Sequence, residues 1–354
     1  MANSVRPDFT KPIGGEGECF VRETQIATPA GEVRIEDLGI GDLVMTASGE
    51  SRPVRWLGHS EVECARLPDP SARWPIRIQA GAFAEGKPCR DLYVSRGHAL
   101  LIDGVLLQAE SLINGATVVE MPSERVQLWH LELDSHDIVI AEGLPVESYL
   151  DVGNRLAFIE GADFIKAHPH VRPKHWTETC VPLVTNGPVL ERARAVLLER
   201  ATTLGHVMTE DPDVYLLADG HRIDPLRLSP TRLAFTLPPH VTKIELRSRS
   251  FVPASINASD DMRRLGICVN RLQLNGLDVP LYDDNTFAVG WYGLEHDASG
   301  QWRWSHEQAQ LPASARLVVI DLVSIGLYYW LQPPDAALVS GSAPSVSETV
   351  ILSS

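Results

Sequence analysis

From residue 19 to about residue 149, the sequence consists of short strand-forming runs that are separated by turn-forming clusters. Several runs alternate apolar and polar residues, the pattern of a strand with one buried face. The separators include Ala47-Ser48-Gly49, which is typical of a hairpin turn. The predicted strands are 32–35, 42–46, 53–57, 76–78, 91–94 and 128–133. This pattern predicts an all-β domain.

A second predicted unit follows the first. Residues 190–204 carry apolar residues at helical spacing with charged residues between them, which predicts an amphipathic helix that ends at Gly205. Strand-like runs return after residue 211, at 214–217, 232–237, 243–246, 266–269 and 317–320. Short strands without intervening helices indicate a β-sandwich. With 354 residues, the chain is long enough for two hydrophobic cores.

We therefore expect a mainly β protein with five segments, whose predicted helix bridges the two β-rich halves. Residues 150–186 are polar and contain scattered prolines, as expected of a connector. The expected segments are a leader peptide (1–18), the first β domain (19–149), a connector with a helix (150–210), the β-sandwich (211–335) and a flexible tail rich in Ser and Ala (336–354).

The charge and the apolar stretches of the sequence indicate which partners and which cellular location to expect. A formal net charge of −15 argues against binding to nucleic acid or to an anionic membrane, because both draw on clustered Lys and Arg. No apolar stretch approaches the roughly 18 to 20 residues that span a bilayer. Residues 1–18 lack the apolar core of a secretory signal, so we expect a cytoplasmic chain or one exported without a classical signal.

The spacing of the cysteines does not indicate a disulfide framework or a metal site. There are five, an odd number, so at least one thiol is unpaired within the monomer. They are widely spaced and lack the Cys-x-x-Cys pairing of zinc and redox sites. An isolated cysteine near an N-terminus, such as Cys19, is most often a small buried apolar residue. The sequence around Cys19 favours a different interpretation.

Three blocks of sequence indicate that Cys19 has a functional role. The first begins at Cys19 and continues through Thr24, Ile26, Thr28, Gly31, Ile35-Glu36-Asp37-Leu38, Gly41-Asp42 and Val44. The second, residues 92–101, contains Ser95-x-x-His98, and the third, residues 129–148, contains His130 and His136. Together they closely resemble the Hint domain that Hedgehog autoprocessing domains, inteins and bacterial intein-like proteins share. The resemblance covers about residues 19–149 and implies a horseshoe-like all-β fold.

The resemblance also implies a reaction. In Hint proteins the thiol of the first residue attacks the preceding carbonyl and converts that amide into a thioester, an N-to-S acyl shift. The bond here is Glu18–Cys19, and the substrate is the chain's own N-terminal segment. His98 matches the residue that protonates the departing nitrogen, and Ser95 stands for the Thr that holds the scissile peptide.

The base that activates the thiol is less well defined by the resemblance. His130 and His136 are both candidates, and the family often has an acidic residue at the position of His130. The alternative for each histidine is a structural role, with its side chain on a strand face.

The third block departs from the pattern of a splicing protein. Splicing needs a terminal Asn followed by Cys, Ser or Thr, but Glu147, Ser148 and Tyr149 stand at that place. The nearest Asn, Asn154, is followed by Arg155. We therefore expect cleavage alone, in which water or another small nucleophile resolves the thioester without a cofactor and releases residues 1–18. The alternative is an idle Hint scaffold in a binding protein.

In the second half, the sequence predicts no catalytic pair and no metal site. Trp302 and Trp304 lie on one face of a predicted strand and, with Trp291, are candidates for a glycan platform, although such residues more often fill a sandwich core. A protein partner is the other candidate ligand for this half. The pairs Asp260-Asp261 and Asp283-Asp284 are more typical of solvated turns than of calcium sites, and His168, His170 and His175 lack zinc-site spacing.

Overall fold

The computed structural model describes residues 19–256, 259, 261, 263–323 and 329–331. The predicted leader, including Glu18, and the predicted tail lie outside the described residues. The described chain is mainly β, with two helices between its two β-rich halves. None of the helices in these described ranges is both long and apolar enough to span a bilayer.

The N-terminal half forms two six-stranded antiparallel sheets and a hairpin. Its strands are β1 Phe20–Val21, β2 Gln25–Thr28, β3 Gly31–Arg34, β4 Leu43–Met45, β5 Ser51–Pro53, β6 Trp56–Val62, β7 Ile76–Ile78, β8 Leu92–Val94, β9 Ala99–Ile102, β10 Val105–Gln108, β11 Val118–Glu120, β12 Val126–Glu132, β13 Ile138–Ala141 and β14 Leu144–Glu147. The sheet orders are β11-β7-β8-β1-β12-β6 and β10-β9-β14-β13-β2-β3, and β4 pairs with β5.

One continuous core lies between these two sheets. Apolar residues at alternate positions fill it, including Ile76 and Ile78 on β7 and Val139 on β13. The predicted strand 53–57 is wrong, because the chain leaves the β4–β5 hairpin after Val54 and β6 begins only at Trp56. The amide of Val54 donates to the carbonyl of Asp42 at 2.8 Å, so this residue still belongs to the hairpin.

The helices are α1, Gly161–Ala167, and α2, Pro188–Thr203. The predicted helix is confirmed as α2, which begins with a proline in its first turn, a favoured place because that amide needs no helical partner. Leu190, Ala193 and Leu197 of α2 join the core of the N-terminal half, and so do Val252 and Ala254 from the second half. The helix therefore packs where the two halves meet. The sequence did not predict α1, which is too short to show a helical period.

The second half is the predicted β-sandwich. Its strands are β15 Val207–Thr209, β16 Tyr215–Ala218, β17 His221–Ile223, β18 Leu226–Ser229, β19 Arg232–Thr236, β20 Ile244–Arg247, β21 Cys268–Leu274, β22 Leu277–Val279, β23 Glu295–Asp297, β24 Gly300–Trp304, β25 Gln308–Leu311, β26 Leu317–Leu322 and β27 Tyr329–Leu331. A four-stranded sheet, β17-β16-β20-β25, faces a seven-stranded sheet built on β18-β19-β26-β21-β24-β23. Leu216 and Leu246 from the first sheet share a core with Phe235 and Ile320 from the second.

Gly58 on β6 allows a large ring to lie against the first sheet. A Cβ atom at this position would lie 2.1 Å from the buried Trp56 ring. We expect Gly58→Ala to lower the free energy of unfolding by about 2 kcal/mol, the usual cost of overpacking a closed core. Urea unfolding measures this, with Gly293→Ala as the control because nothing lies within 4 Å of that Cβ position. Equal stability of the two variants would contradict the expectation.

Candidate functional site

The site is assembled by strand β1, which lies between β8 and β12 in the first sheet. Phe20 pairs with Trp129 on β12 and with Val94 on β8. One residue earlier, Cys19 therefore lies beside His130 on one side and Ser95 on the other. The Ser95 amide donates to the Cys19 carbonyl at 2.9 Å, which continues the β1–β8 ladder to the site.

Two hydrogen bonds fix the thiol and the amide of Cys19. Its Sγ lies 2.7 Å from Nε2 of His130, and its amide donates to Oγ of Ser95 at 2.9 Å. Cys19 and His130 are both fully buried. The thiol and the amide of one residue thus each face a polar side chain from a different neighbouring strand.

His130 has the electrostatics of a neutral base. Burial holds its pKa well below the ordinary value, and the positive charge of Arg155, like that of His98 when His98 is protonated, acts in the same direction. In a neutral imidazole one nitrogen carries the proton and the other accepts. An Nε2 that accepts from the thiol requires the proton on Nδ1, and Nδ1 has no hydrogen-bond partner among the described residues.

His98 is also fully buried, with its ring centroid 4.4 Å from that of Phe20. Burial lowers its pKa to about 4, and the backbone groups of Cys19 and Glu147 partly oppose this shift. Since only an acceptor favours the protonated ring, these groups are carbonyls that face His98. Neither ring nitrogen makes a hydrogen bond of good geometry in the described part of the chain. His98 is therefore neutral at pH 7 and adjoins the Cys19 backbone.

His136 occupies a different part of the site from His130. Its Nδ1 accepts from the amide of Cys180 at 3.0 Å, and its Nε2 lies 3.4 Å from a carboxyl oxygen of Glu147. The other Glu147 oxygen accepts from the amide of Ala99 at 2.6 Å. None of the contacts of His136 among residues 19–256 joins it to the Cys19 thiol. Of the two candidate bases, only His130 lies at the thiol.

Sequence reasoning missed two members of the site, Glu147 and Arg155. Burial raises the pKa of Glu147 to about 8, while the amide of Ala99 acts in the opposite direction. The carboxyl group is therefore mostly protonated at pH 7. Arg155 is 1% exposed, although it lies in a segment that the sequence predicts to be a polar connector. A charged residue in polar sequence gives no signal that it is buried.

The candidate residues of the second half lie in other surroundings. Trp304 is 7% exposed and packs on Phe251, with ring centroids 5.9 Å apart. Trp291 is equally buried in the sandwich core. The core interpretation therefore fits these two better than a glycan platform. Trp302 is partly buried and donates from Nε1 to Glu295 at 3.2 Å.

The predicted acidic pairs and histidines form no metal cluster within the described residues. Asp283 accepts from the Thr286 hydroxyl at 2.8 Å, as in a turn, and Asp284 pairs with Arg303. Asp260 lies outside the described residues. The one potential metal-binding group in the described ranges, Glu32, Cys89 and Glu142, lies elsewhere, and Arg90 pairs with both of its carboxylates.

Part of the chain matches a known domain family. The sequence model of the Hint domain matches residues 18–153. A bacterial intein-like domain from Clostridium thermocellum is 17% identical with a TM-score of 0.29, over 38% of this chain and 99% of that chain. A DnaB intein from Synechocystis is 11% identical with a TM-score of 0.28, over 38% of this chain and 99% of that one. No protein of curated function matches the chain.

The buried Glu147 predicts an unusual pH dependence of stability. Its pKa is about 8 in the folded chain, against an ordinary value of 4.5. Between these values the folded chain keeps a proton that the unfolded chain has lost, so stability falls as the pH rises. Relative to Glu147→Gln, the wild type should lose up to about 3 kcal/mol of unfolding free energy between pH 5 and 8.

Urea unfolding at pH 5, 6.5 and 8 measures this loss. The exposed Glu50 provides the control as Glu50→Gln, whose stability should follow that of the wild type at each pH. Parallel curves for wild type and Glu147→Gln would show that Glu147 is ionised in the folded chain.

Proposed function

Residues 18–153 are a Hint domain, and we propose that this domain cleaves the chain at the Glu18–Cys19 bond through a thioester. The observation that supports this proposal most is the contact of 2.7 Å between the Cys19 Sγ and Nε2 of His130. A thiol is a weak nucleophile until it loses its proton, and an adjacent neutral imidazole is the usual means of removing it. The carbonyl of Glu18, which the thiolate attacks, lies outside the described residues.

The acyl shift exchanges one bond for another without a net change in protons. His130 takes the thiol proton and later returns it to solvent, while His98 takes up one proton from solvent and passes it to the departing nitrogen, so both rings end neutral. A bond forms between the Cys19 sulfur and the Glu18 carbonyl carbon, and the bond from that carbon to the Cys19 nitrogen breaks. The departing nitrogen takes one proton to become an amine. Ser95 supports this step because its hydroxyl accepts from the Cys19 amide at 2.9 Å and so fixes the orientation of the scissile peptide.

His98 is the proposed source of the amine proton. It is neutral in the resting site because burial lowers its pKa to about 4. Negative charge that develops on the attacked carbonyl oxygen favours a protonated imidazole nearby and raises this pKa. Protonation of His98 is thus coupled to the tetrahedral intermediate, where an acid is needed, and does not occur in the resting chain.

Resolution by water or another small nucleophile then releases residues 1–18. Splicing is not part of the proposal, since Glu147 stands where a terminal Asn would cyclise. The backbone beyond it is also held, because the Ser148 amide donates to the Asp137 carbonyl at 2.8 Å and the Tyr149 amide to Leu131 at 2.7 Å.

The first test is the intact mass of the full-length chain with and without dithiothreitol or hydroxylamine, nucleophiles that capture a thioester. We expect release of residues 1–18 from the wild type and none from Cys19→Ala. His98→Ala should slow release by about 100-fold or more, the range for loss of a general acid. A wild-type chain that stays uncut under every condition would contradict the proposal and leave the Hint domain as an idle scaffold.

A second test compares the two candidate bases. His130→Asn removes the basic ring nitrogen at the thiol and should slow release by about 100-fold or more. His136→Asn is the matched control, since His136 contacts Cys180 and Glu147 instead, and it should retain most of the rate. The same mass measurement over time gives both rates. The opposite order would assign the base to His136.

A further inference from the structure

The His130 ring is held in place by its aromatic neighbours. A catalytic histidine is usually oriented by a hydrogen bond to its second ring nitrogen. Nδ1 of His130 has no such partner among the described residues. Two aromatic rings contact the imidazole instead, Tyr149 at 4.9 Å and Phe158 at 4.2 Å between centroids, both edge to face. The ring is therefore fixed by packing.

These two rings belong to a buried group that we call the aromatic cap, formed by Trp56, Tyr149, Phe158 and Phe164. Arg155 lies inside it. The guanidinium carbon is 4.3 Å from the Trp56 ring centroid, 4.1 Å from that of Phe164 and 5.3 Å from that of Tyr149. Stacking of a planar cation on several rings fixes their spacing as well as its own.

Two carboxylates hold the guanidinium from outside the aromatic cap. Its Nε donates to Asp151 at 2.8 Å and one terminal nitrogen donates to Glu132 at 2.9 Å. Glu132 lies on β12, the strand of His130, and Asp151 lies just beyond the last strand of the domain. Arg155 thus ties the segment after the Hint strands to the strand that carries the base.

The cap segment is also fixed on its outer side. The Ile159 amide donates to the His59 carbonyl at 3.0 Å, and Glu160 accepts from the His59 amide at 2.8 Å. Gly161 then approaches Arg155 so closely that a Cβ atom would lie 1.9 Å from the Arg155 carbonyl oxygen. The turn that carries Arg155 and Phe158 has little freedom to shift.

We propose that Arg155 is a positioning residue for the Cys19–His130 pair. It clamps the aromatic cap so that Tyr149 and Phe158 hold the His130 ring with Nε2 toward the thiol. The catalytic consequence of this role rests on the proposed function, since it concerns the base of the acyl shift. The clamp needs both the planar stacking and the forked donor geometry, which lysine does not supply.

The test compares Arg155→Lys with Arg194→Lys in the full-length chain. Arg194 on α2 is a matched control because it is also a buried arginine and donates to the Ser111 carbonyl at 2.9 Å. Both variants keep the charge. We expect Arg155→Lys to slow release of residues 1–18 by about 100-fold, the scale of a misplacement of 1 Å. Arg194→Lys should retain the wild-type rate.

The second readout is the ¹⁵N NMR signal of the His130 ring in histidine-labelled chain, assigned by its loss in His130→Gln. The wild type should show a single neutral tautomer with the proton on Nδ1. In Arg155→Lys the two ring-nitrogen signals should approach each other as the tautomers exchange. A general loss of stability that leaves the chain folded would not change the populations of the two tautomers. The ring-nitrogen signals therefore distinguish a positioning role from a merely structural one.

Phe158→Leu provides a second variant in case Arg155→Lys fails to fold. Leucine keeps the site apolar but removes the ring edge from His130, and the same NMR change is expected. Unchanged His130 signals in a folded Arg155→Lys or Phe158→Leu chain would overturn the proposal. Absence of cleavage in the wild type would instead contradict the proposed function, while the NMR comparison would still decide the role of Arg155.

Discussion

The register of β1 between β8 and β12 is the constraint on which the site depends. β1 has only two residues, yet Phe20 pairs with a residue on each side and is 1% exposed. A slip of one residue would turn every side chain of a strand to the opposite face. It would take Phe20 out of the core between the two sheets and move the Cys19 thiol away from His130. Burial of one phenylalanine therefore fixes the position of the thiol.

Burial also determines the charges of the site. His98, His130 and Glu147 are all fully enclosed, and their pKa values move in the direction that keeps each group neutral. An isolated charge in such surroundings would be costly. Arg155 keeps its charge because two carboxylates compensate it. The result is that the titratable groups around Cys19 are neutral at rest, and charge is favoured there only where a reaction creates it.

The sequence predicted features that depend on local patterns. The strand at Ile76–Ile78 and the helix α2 follow from periodicity, and the resemblance of Ser95-x-x-His98 to the Hint motif implied that both residues lie near Cys19. Local patterns could not distinguish His130 from His136 as the base at the thiol. That distinction depends on a contact between Cys19 and His130, which lie 111 positions apart in the sequence. The place of Arg155 was also hidden, since its partners come from β6, β12 and α1 and only the folded chain brings them together.

The segment after Glu147 is part of the site's enclosure, although its sequence resembles a linker. Its first part supplies Tyr149 and Phe158 to one side of His130. Its second part reaches β10, where the Leu106 amide donates to the Pro182 carbonyl at 2.8 Å, and the Cys180 amide binds His136. A cut after Glu147 would separate the domain from its own enclosure. A cut before Cys19 would leave every one of these contacts in place, so the arrangement favours chemistry at the N-terminal side of the domain.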